Sequence, residues 1–261
     1  MEKLITDYLF QIEIGSPQSH KNLVVYPLLS GYRDSLTYAN LDEALEKNLI
    51  AVTEVSEDGS VPQLRVVNLS ETPVLIVDGE ELVGAKQNRA VNTTILIAAG
   101  AETVIPVSCV EQGRWTYKTR EFRSEGRVMS AKIRSSKADQ VKCSLRDSGR
   151  FASDQGAIWG EIQDLVQGFD VKSPSTAMAD IYRKERPALT EYARGFSPVD
   201  QQVGAVFVIN GRIAGMDCFG KPEALEKALI NLVESYALDA LEAEKKGANY
   251  EPTPGSLSRI S

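Results

Sequence analysis

Short apolar runs closed by turn-forming pairs fill the first half of the chain, and the hydrophobic spacing becomes helical only after about residue 124. Leu23 to Leu29 reads as a strand, and Ile5 to Ile14 as a first strand or a short helix. Ile50 to Val55 and Val61 to Asn68 flank Asp58-Gly59, a pair that readily takes the positive φ values of a tight hairpin. Val74 to Val77 and Glu80 to Val83 flank Asp78-Gly79 in the same way, and strands at Thr93 to Ala98 and Glu102 to Val107 extend an antiparallel meander. Before them, Asn40 with Glu43 three residues on has capping-box spacing and predicts a short helix through Leu45.

In the second half, Met129, Ile133 and Val141 form a narrow helical stripe within Arg127 to Leu145. Ser153 or Asp154 caps a helix carrying Ile158, Trp159, Ile162 and Leu165 to Gly168. Shorter helices are predicted from Ser175 or Thr176, and from Pro187 to Gly195. Gly204 to Ile209 and Arg212 to Cys218 flank Asn210-Gly211, a strong hairpin signal. A long helix starts at Pro222 and shows one apolar face through Leu225, Leu229, Leu232, Tyr236 and Leu241.

The pattern predicts an α+β fold, a mainly antiparallel sheet or sandwich with helices from the middle and C-terminus packed on it. Because the late hairpin must rejoin early strands, the expectation is one domain over 1–246 with a helical insertion at about 125–196, followed by a polar, flexible tail at 247–261.

A hydrophobic content of 43% and a charged content of 25% suit a globular chain with a sizeable core. The net charge of -7 argues against general nucleic-acid affinity, which needs a concentrated basic face. No apolar run is long enough to span a bilayer and the N-terminus has no signal-like pattern, so the expected location is cytoplasmic, with no membrane partner. Cys109, Cys143 and Cys218 are odd in number and widely spaced, unlike a disulfide framework, and with His20 as the only histidine no metal site is expected. The basic residues Lys132, Arg134, Lys137 and Lys142 read as a solvated helix face, or else as a phosphate-contacting patch.

The chemistry concentrates between Val74 and Trp115. After Gly84 the pattern loses its period and gathers Lys86, Gln87, Asn88, Arg89 and Asn92, a set that a core tolerates only when every donor and acceptor is paired. Lys86 and Arg89 suit a phosphate or carboxylate, the amides suit hydroxyls or base edges, and Glu80, Glu81 or Glu111 suit ribose hydroxyls. Cys109 is a nucleophile if Arg114 lowers its pKa, and otherwise a buried structural thiol. Trp115 either stacks on a ring or completes the core.

The strings DGEELVGAKQNR, IPVSCVEQGRW, VGAVFVINGRIAGMDCFG and SYALDAL, in that order, resemble the ARG and rhodanese/phosphatase-superfamily-associated protein domain family, over about Leu36 to Leu241. The family is largely uncharacterised. The resemblance implies a link to ADP-ribose or nucleotide metabolism by association and assigns no catalytic residue or cofactor. Its motif positions give the candidate ligand-binding residues Glu80, Glu81, Lys86, Gln87, Asn88, Arg89, Asn92, Glu111, Arg114 and Trp115, with Cys109 beside them.

Two functions follow from these readings. One is binding, or processing, of a small phosphorylated metabolite such as a nucleotide or ADP-ribose derivative. The other is a non-catalytic interaction or scaffold module in which the same polar residues are structural. Exposure discriminates them: if Lys86, Arg89 and Arg114 are all buried on protein partners with no adjoining cleft, the first loses its basis.

Overall fold

Asn210 and Gly211 both take positive φ, 49° and 74°, and close the hairpin of strands Gln202–Ile209 and Arg212–Cys218. Asparagine and glycine are the residues that reach this region at least cost, so the hairpin forms where the dipeptide predicts it. Its first strand also pairs antiparallel with Leu23–Leu29, in register from Leu23↔Ile209 to Leu28↔Gly204, with a shift before Leu29↔Gln202. Early and late parts of the chain therefore share one sheet. Tyr236 of the helix Pro222–Lys245 stacks on Phe207 of that sheet with ring centroids 3.8 Å apart, and Leu225, Leu229 and Leu232 are buried on the same helix.

The structure, a computed structural model, describes residues 2–32 and 35–247, so the polar tail read above lies outside the described residues beyond 247. The chain has two compact units, one formed by the described parts of 1–35 and 186–261, the other by Leu36–Glu185. The fold is α+β, with nearly all strand pairs antiparallel. Among the described residues no helix is long and apolar enough to cross a membrane.

The Leu36–Glu185 unit contains a six-stranded sheet in the order Phe122–Val128, Glu80–Gly84, Arg89–Val91, Glu102–Cys109, Gln63–Asn68, Ile50–Glu54. An isolated bridge, Thr53↔Glu121, links its last strand to the residue before its first, so the sheet curls back on itself. A smaller sheet, Ile95–Ile97, Val74–Ile76 and Ala39–Asn40, lies beside it in sequence. Val52, Leu64, Val66, Ile76, Leu82, Val91, Ile105 and Phe122 belong to one buried cluster, which spans strands of both sheets. The helices Ala131–Ser148, Gln155–Gly168 and Met178–Lys184 complete the unit.

Several expectations need correction. Asp78-Gly79 does not close a hairpin, because Val74–Ile76 pairs with Ile95–Ile97 while Glu80–Gly84 pairs with Arg89–Val91 and Phe122–Val128. Only Gly79 takes positive φ, 84°, whereas the expected turn needs it at both positions. The Asp78 N–H instead donates to Thr94 Oγ1, its carboxylate meets Lys137, and the Gly79 N–H donates to Val91 O, which together turn the chain from one sheet into the other.

Asn40 does stand at the N-cap of the helix Leu41–Glu46, but its side chain makes no capping bond. The strand Phe122–Val128 occupies sequence expected to begin the helical region. Lys137 and Arg134 are not solvated. Lys137 is fully buried, donating to Asp78 and Val91 O, and burial pushes its ammonium pKa down.

Candidate functional site

Strand alternation sends Glu80 and Glu81 to opposite faces, and the sheet is covered on both, so both carboxyls are buried. Glu81 is fully buried; its Oε2 accepts from Arg127 Nε at 2.7 Å and its Oε1 from Asn88 Nδ2 at 3.4 Å. Arg127 also meets Glu125 at 2.6 Å. Burial works against the guanidinium charge, but these two carboxylates outweigh it and raise the Arg127 pKa. Glu80 stands apart from this pair. Its Oε2 accepts the Val77 N–H at 2.8 Å, and burial, reinforced by the Asp42 charge, pushes its carboxyl up to about 8.

Glu111 ties a second knot. It accepts from Arg114 Nη2 at 2.6 Å, Ser175 Oγ at 2.8 Å and the Asn88 N–H at 3.1 Å. Burial opposes its charge, yet these bonds prevail and hold the carboxyl below the usual range. Arg114 also donates to the Gly84, Ala85 and Thr116 carbonyls, which fixes the loop after the Glu80–Gly84 strand. Asn92 donates to Phe151 O at 3.0 Å and accepts from Ser108 at 2.6 Å. Gln87 is shared by Arg89, Cys109 and the Gln112 carbonyl. Six of the candidates, Glu81, Gln87, Asn88, Asn92, Glu111 and Arg114, are thus bonded into the protein itself.

Cys109 lies opposite Arg89 in the strand register, and its thiol is 3.2 Å from both Gln87 Oε1 and Glu111 O. Burial raises its pKa, and Arg114 is committed elsewhere. Gln155, the first residue of its helix, brackets the Cys109 backbone with bonds of 2.7 and 2.8 Å, while Asp154 caps the helix through the Ala157 N–H. This is a structural thiol.

Arg89 is fully buried but incompletely paired. Nη1 reaches Gln87 Oε1 at 3.1 Å, whereas Nε and Nη2 have no hydrogen-bond acceptor and Nη2 lies 3.9 Å from Glu54 Oε1. Glu54 Oε2 is likewise buried and accepts no hydrogen bond. Trp115 is 45% exposed, so it does not complete the core. Its ring lies 5.7 Å from Arg89 Cζ and 5.3 Å from Lys86 Nζ, which also sits 5.1 Å from the Tyr117 ring and donates to Asp58 O at 2.8 Å.

Against this group opens a cleft of about 690 Å³ lined by Thr53, Glu54, Ser56, Glu57, Asp58, Tyr117 and Arg120. A second cleft of about 410 Å³ shares Arg120. Arg120 is exposed and has no ion pair or hydrogen bond to the described residues. Of the candidate residues, only Lys86, Arg89 and Trp115 come near the cleft. Its own lining was not singled out from the sequence: Glu54, Tyr117 and Arg120 come from separated segments that meet through the Thr53↔Glu121 bridge.

The profile of the ARG and Rhodanese-Phosphatase-superfamily-associated Protein domain matches residues 11–259, nearly the whole chain. The chain belongs to that family. No curated protein and no solved structure gives a significant match. Membership of the ARG and Rhodanese-Phosphatase-superfamily-associated family thus widens the resemblance seen over Leu36 to Leu241 to residues 11–259.

Proposed function

We propose that the Leu36–Glu185 unit binds a small phosphorylated metabolite, such as a nucleotide or an ADP-ribose derivative, in the cleft between Glu54 and Arg120. The observation that carries this reading is the pairing, in one cleft, of a buried carboxylate oxygen with no donor and an exposed guanidinium with no acceptor. Arg120 offers a phosphate its bidentate fork, Glu54 with Thr53 and Ser56 suits sugar hydroxyls, and Tyr117 presents a ring edge or face at the wall. The internally bonded knots around Glu81 and Glu111 are then scaffold. They hold the loop 84–88 and the strand Arg89–Val91 that support the cleft. The reading is of binding rather than turnover, since the raised carboxyl of Glu80 is tied to Val77 and does not line the cleft.

Arg120→Ala tests it without disturbing the core, because the side chain is exposed and unbonded. A thermal-shift screen against ADP-ribose, NAD, mononucleotides and sugar phosphates should stabilise the wild type by about 2.7 kcal/mol at a hundred times the dissociation constant. Arg120→Ala should keep the unliganded Tm and lose at least tenfold in affinity, the loss of one charge-assisted contact of about 1.5–3 kcal/mol. A screen with no shift, or a shift that Arg120→Ala leaves intact, would remove the cleft as the site and favour the scaffold reading.

A further inference from the structure

Lys86 reports on the chemistry of the cleft wall. Its ammonium lies 5.3 Å from the Trp115 ring and 5.1 Å from the Tyr117 ring and donates to the Asp58 carbonyl at 2.8 Å. It forms no ion pair with the described residues, although Glu54, Glu57 and Asp58 line the adjoining cleft. Two aromatic faces, a carbonyl and nearby carboxylates are the groups that recognise an organic ammonium, through the ring quadrupole and charge-assisted donation. In this structure the protein's own lysine fills that cage.

The local backbone is shaped for the arrangement. Gly59 has φ of 76°, and a Cβ there would stand 3.2 Å from Lys86 Cδ, 3.3 Å from Glu54 Oε2 and 3.4 Å from Trp115 Cζ2. Gly59 thus stands close to the lysine stem, to the Trp115 ring and to the carboxylate oxygen that accepts no hydrogen bond, and leaves no room there for a side chain. Arg89, the other cation on Trp115, is a fully buried strand residue and cannot leave. Lys86 is half-buried on a flexible four-carbon stem, held at its head by one backbone carbonyl, and it can. The two rings that flank the Lys86 ammonium suit an organic cation.

We infer that Trp115, Tyr117, Asp58 O and Glu54 form an ammonium subsite, closed by Lys86 and opened when an amine-bearing ligand displaces it. This inference rests on the small-phosphorylated-metabolite reading and narrows it: the ligand carries an ammonium group at one end, in the cage, and a phosphate at the other, on Arg120. Lys86 acts as a latch. The apparent affinity for an external ammonium is reduced by the fraction of molecules in which the cage is occupied from within.

The test measures binding of choline, its neutral isostere 3,3-dimethylbutan-1-ol, phosphocholine and ADP-ribose by ligand-observed NMR at low salt. The inference expects choline to bind Lys86→Ala at least about tenfold more tightly than wild type. The isostere should bind neither, and Trp115→Leu or Tyr117→Leu in the Lys86→Ala background should abolish choline binding while keeping apolar bulk at the wall. Lys86→Gln serves as a second latch variant should Lys86→Ala lose its circular dichroism spectrum. Equal binding of choline and the isostere, or no binding of choline to either latch variant, overturns the ammonium subsite. The phosphate reading is judged separately. Phosphocholine should exceed choline in affinity, and Arg120→Ala should erase that excess; choline binding with no phosphate gain refutes the phosphate site alone, and ADP-ribose binding without choline binding refutes the cage alone.

Discussion

Arg127→Ala is expected to lower the stability of the Leu36–Glu185 unit by about 3–5 kcal/mol, because it strands a carboxylate that water does not reach. Glu81 is fully buried, and its shortest bond is the 2.7 Å contact from Arg127 Nε; the remaining partner, Asn88 Nδ2, lies at 3.4 Å. For a unit of this size the loss corresponds to a fall in Tm of about 6–20 °C. The ion pair itself need not be strongly stabilising, since desolvation offsets much of its attraction. The double variant Glu81→Leu, Arg127→Met separates the two effects: it should recover most of the loss by replacing both charges with apolar volume. Thermal denaturation followed by circular dichroism measures both. A fall below about 1 kcal/mol for Arg127→Ala, or a double variant no better than the single, would show that Glu81 is not held by this pair.

Much of the fold was legible because local chemistry and tertiary context agreed. The Asn210-Gly211 hairpin, the Pro222–Lys245 helix and the Asp154 cap each follow from residues adjacent in sequence. Asp78-Gly79 carried the same kind of signal as Asn210-Gly211 and failed, because Asp78 finds Thr94 and Lys137 as partners and the chain changes sheets there. Those partners are 16 and 59 residues away. The strand Arg89–Val91 was hidden for a related reason. A buried arginine in a strand reads as loop until the residues around it are known, and while Gln87 is local, Glu54 comes from the separate strand Ile50–Glu54.

The candidate site was half legible. Sequence composition located the polar network, yet its members mostly satisfy one another, and what they support is the cleft. The cleft residues have no shared local pattern: Glu54 ends one strand, while Tyr117 and Arg120 lie in the irregular stretch before Phe122. Curling of the sheet, visible in the Thr53↔Glu121 bridge, is what brings them together, and no periodicity encodes it.

Glu80→Gln is expected to stabilise the protein increasingly as pH rises. Burial and the Asp42 charge push the Glu80 carboxyl from 4.5 to about 8. Below pH 4.5 it is protonated in both folded and unfolded chains and contributes no pH dependence. Between 4.5 and about 8 the unfolded chain releases the proton while the folded chain keeps it, so the stability tied to Glu80 is lost across this window and is gone above it. At 1.36 kcal/mol per pKa unit the full loss has a ceiling of about 5 kcal/mol, and local relaxation reduces it to a few. Glutamine carries no charge at any pH, and its amide oxygen can accept the Val77 N–H that Glu80 Oε2 accepts now. The variant and wild type should therefore melt together near pH 4 and separate by several degrees at pH 9, with the variant higher. Parallel Tm curves from pH 4 to 9 would mean that Glu80 ionises normally in the fold. The same variant bears on function: the carboxyl is bonded to Val77 and lies outside the cleft lining, so Glu80→Gln should leave ligand-induced thermal shifts unchanged, whereas a loss of binding would return this buried acid to the site.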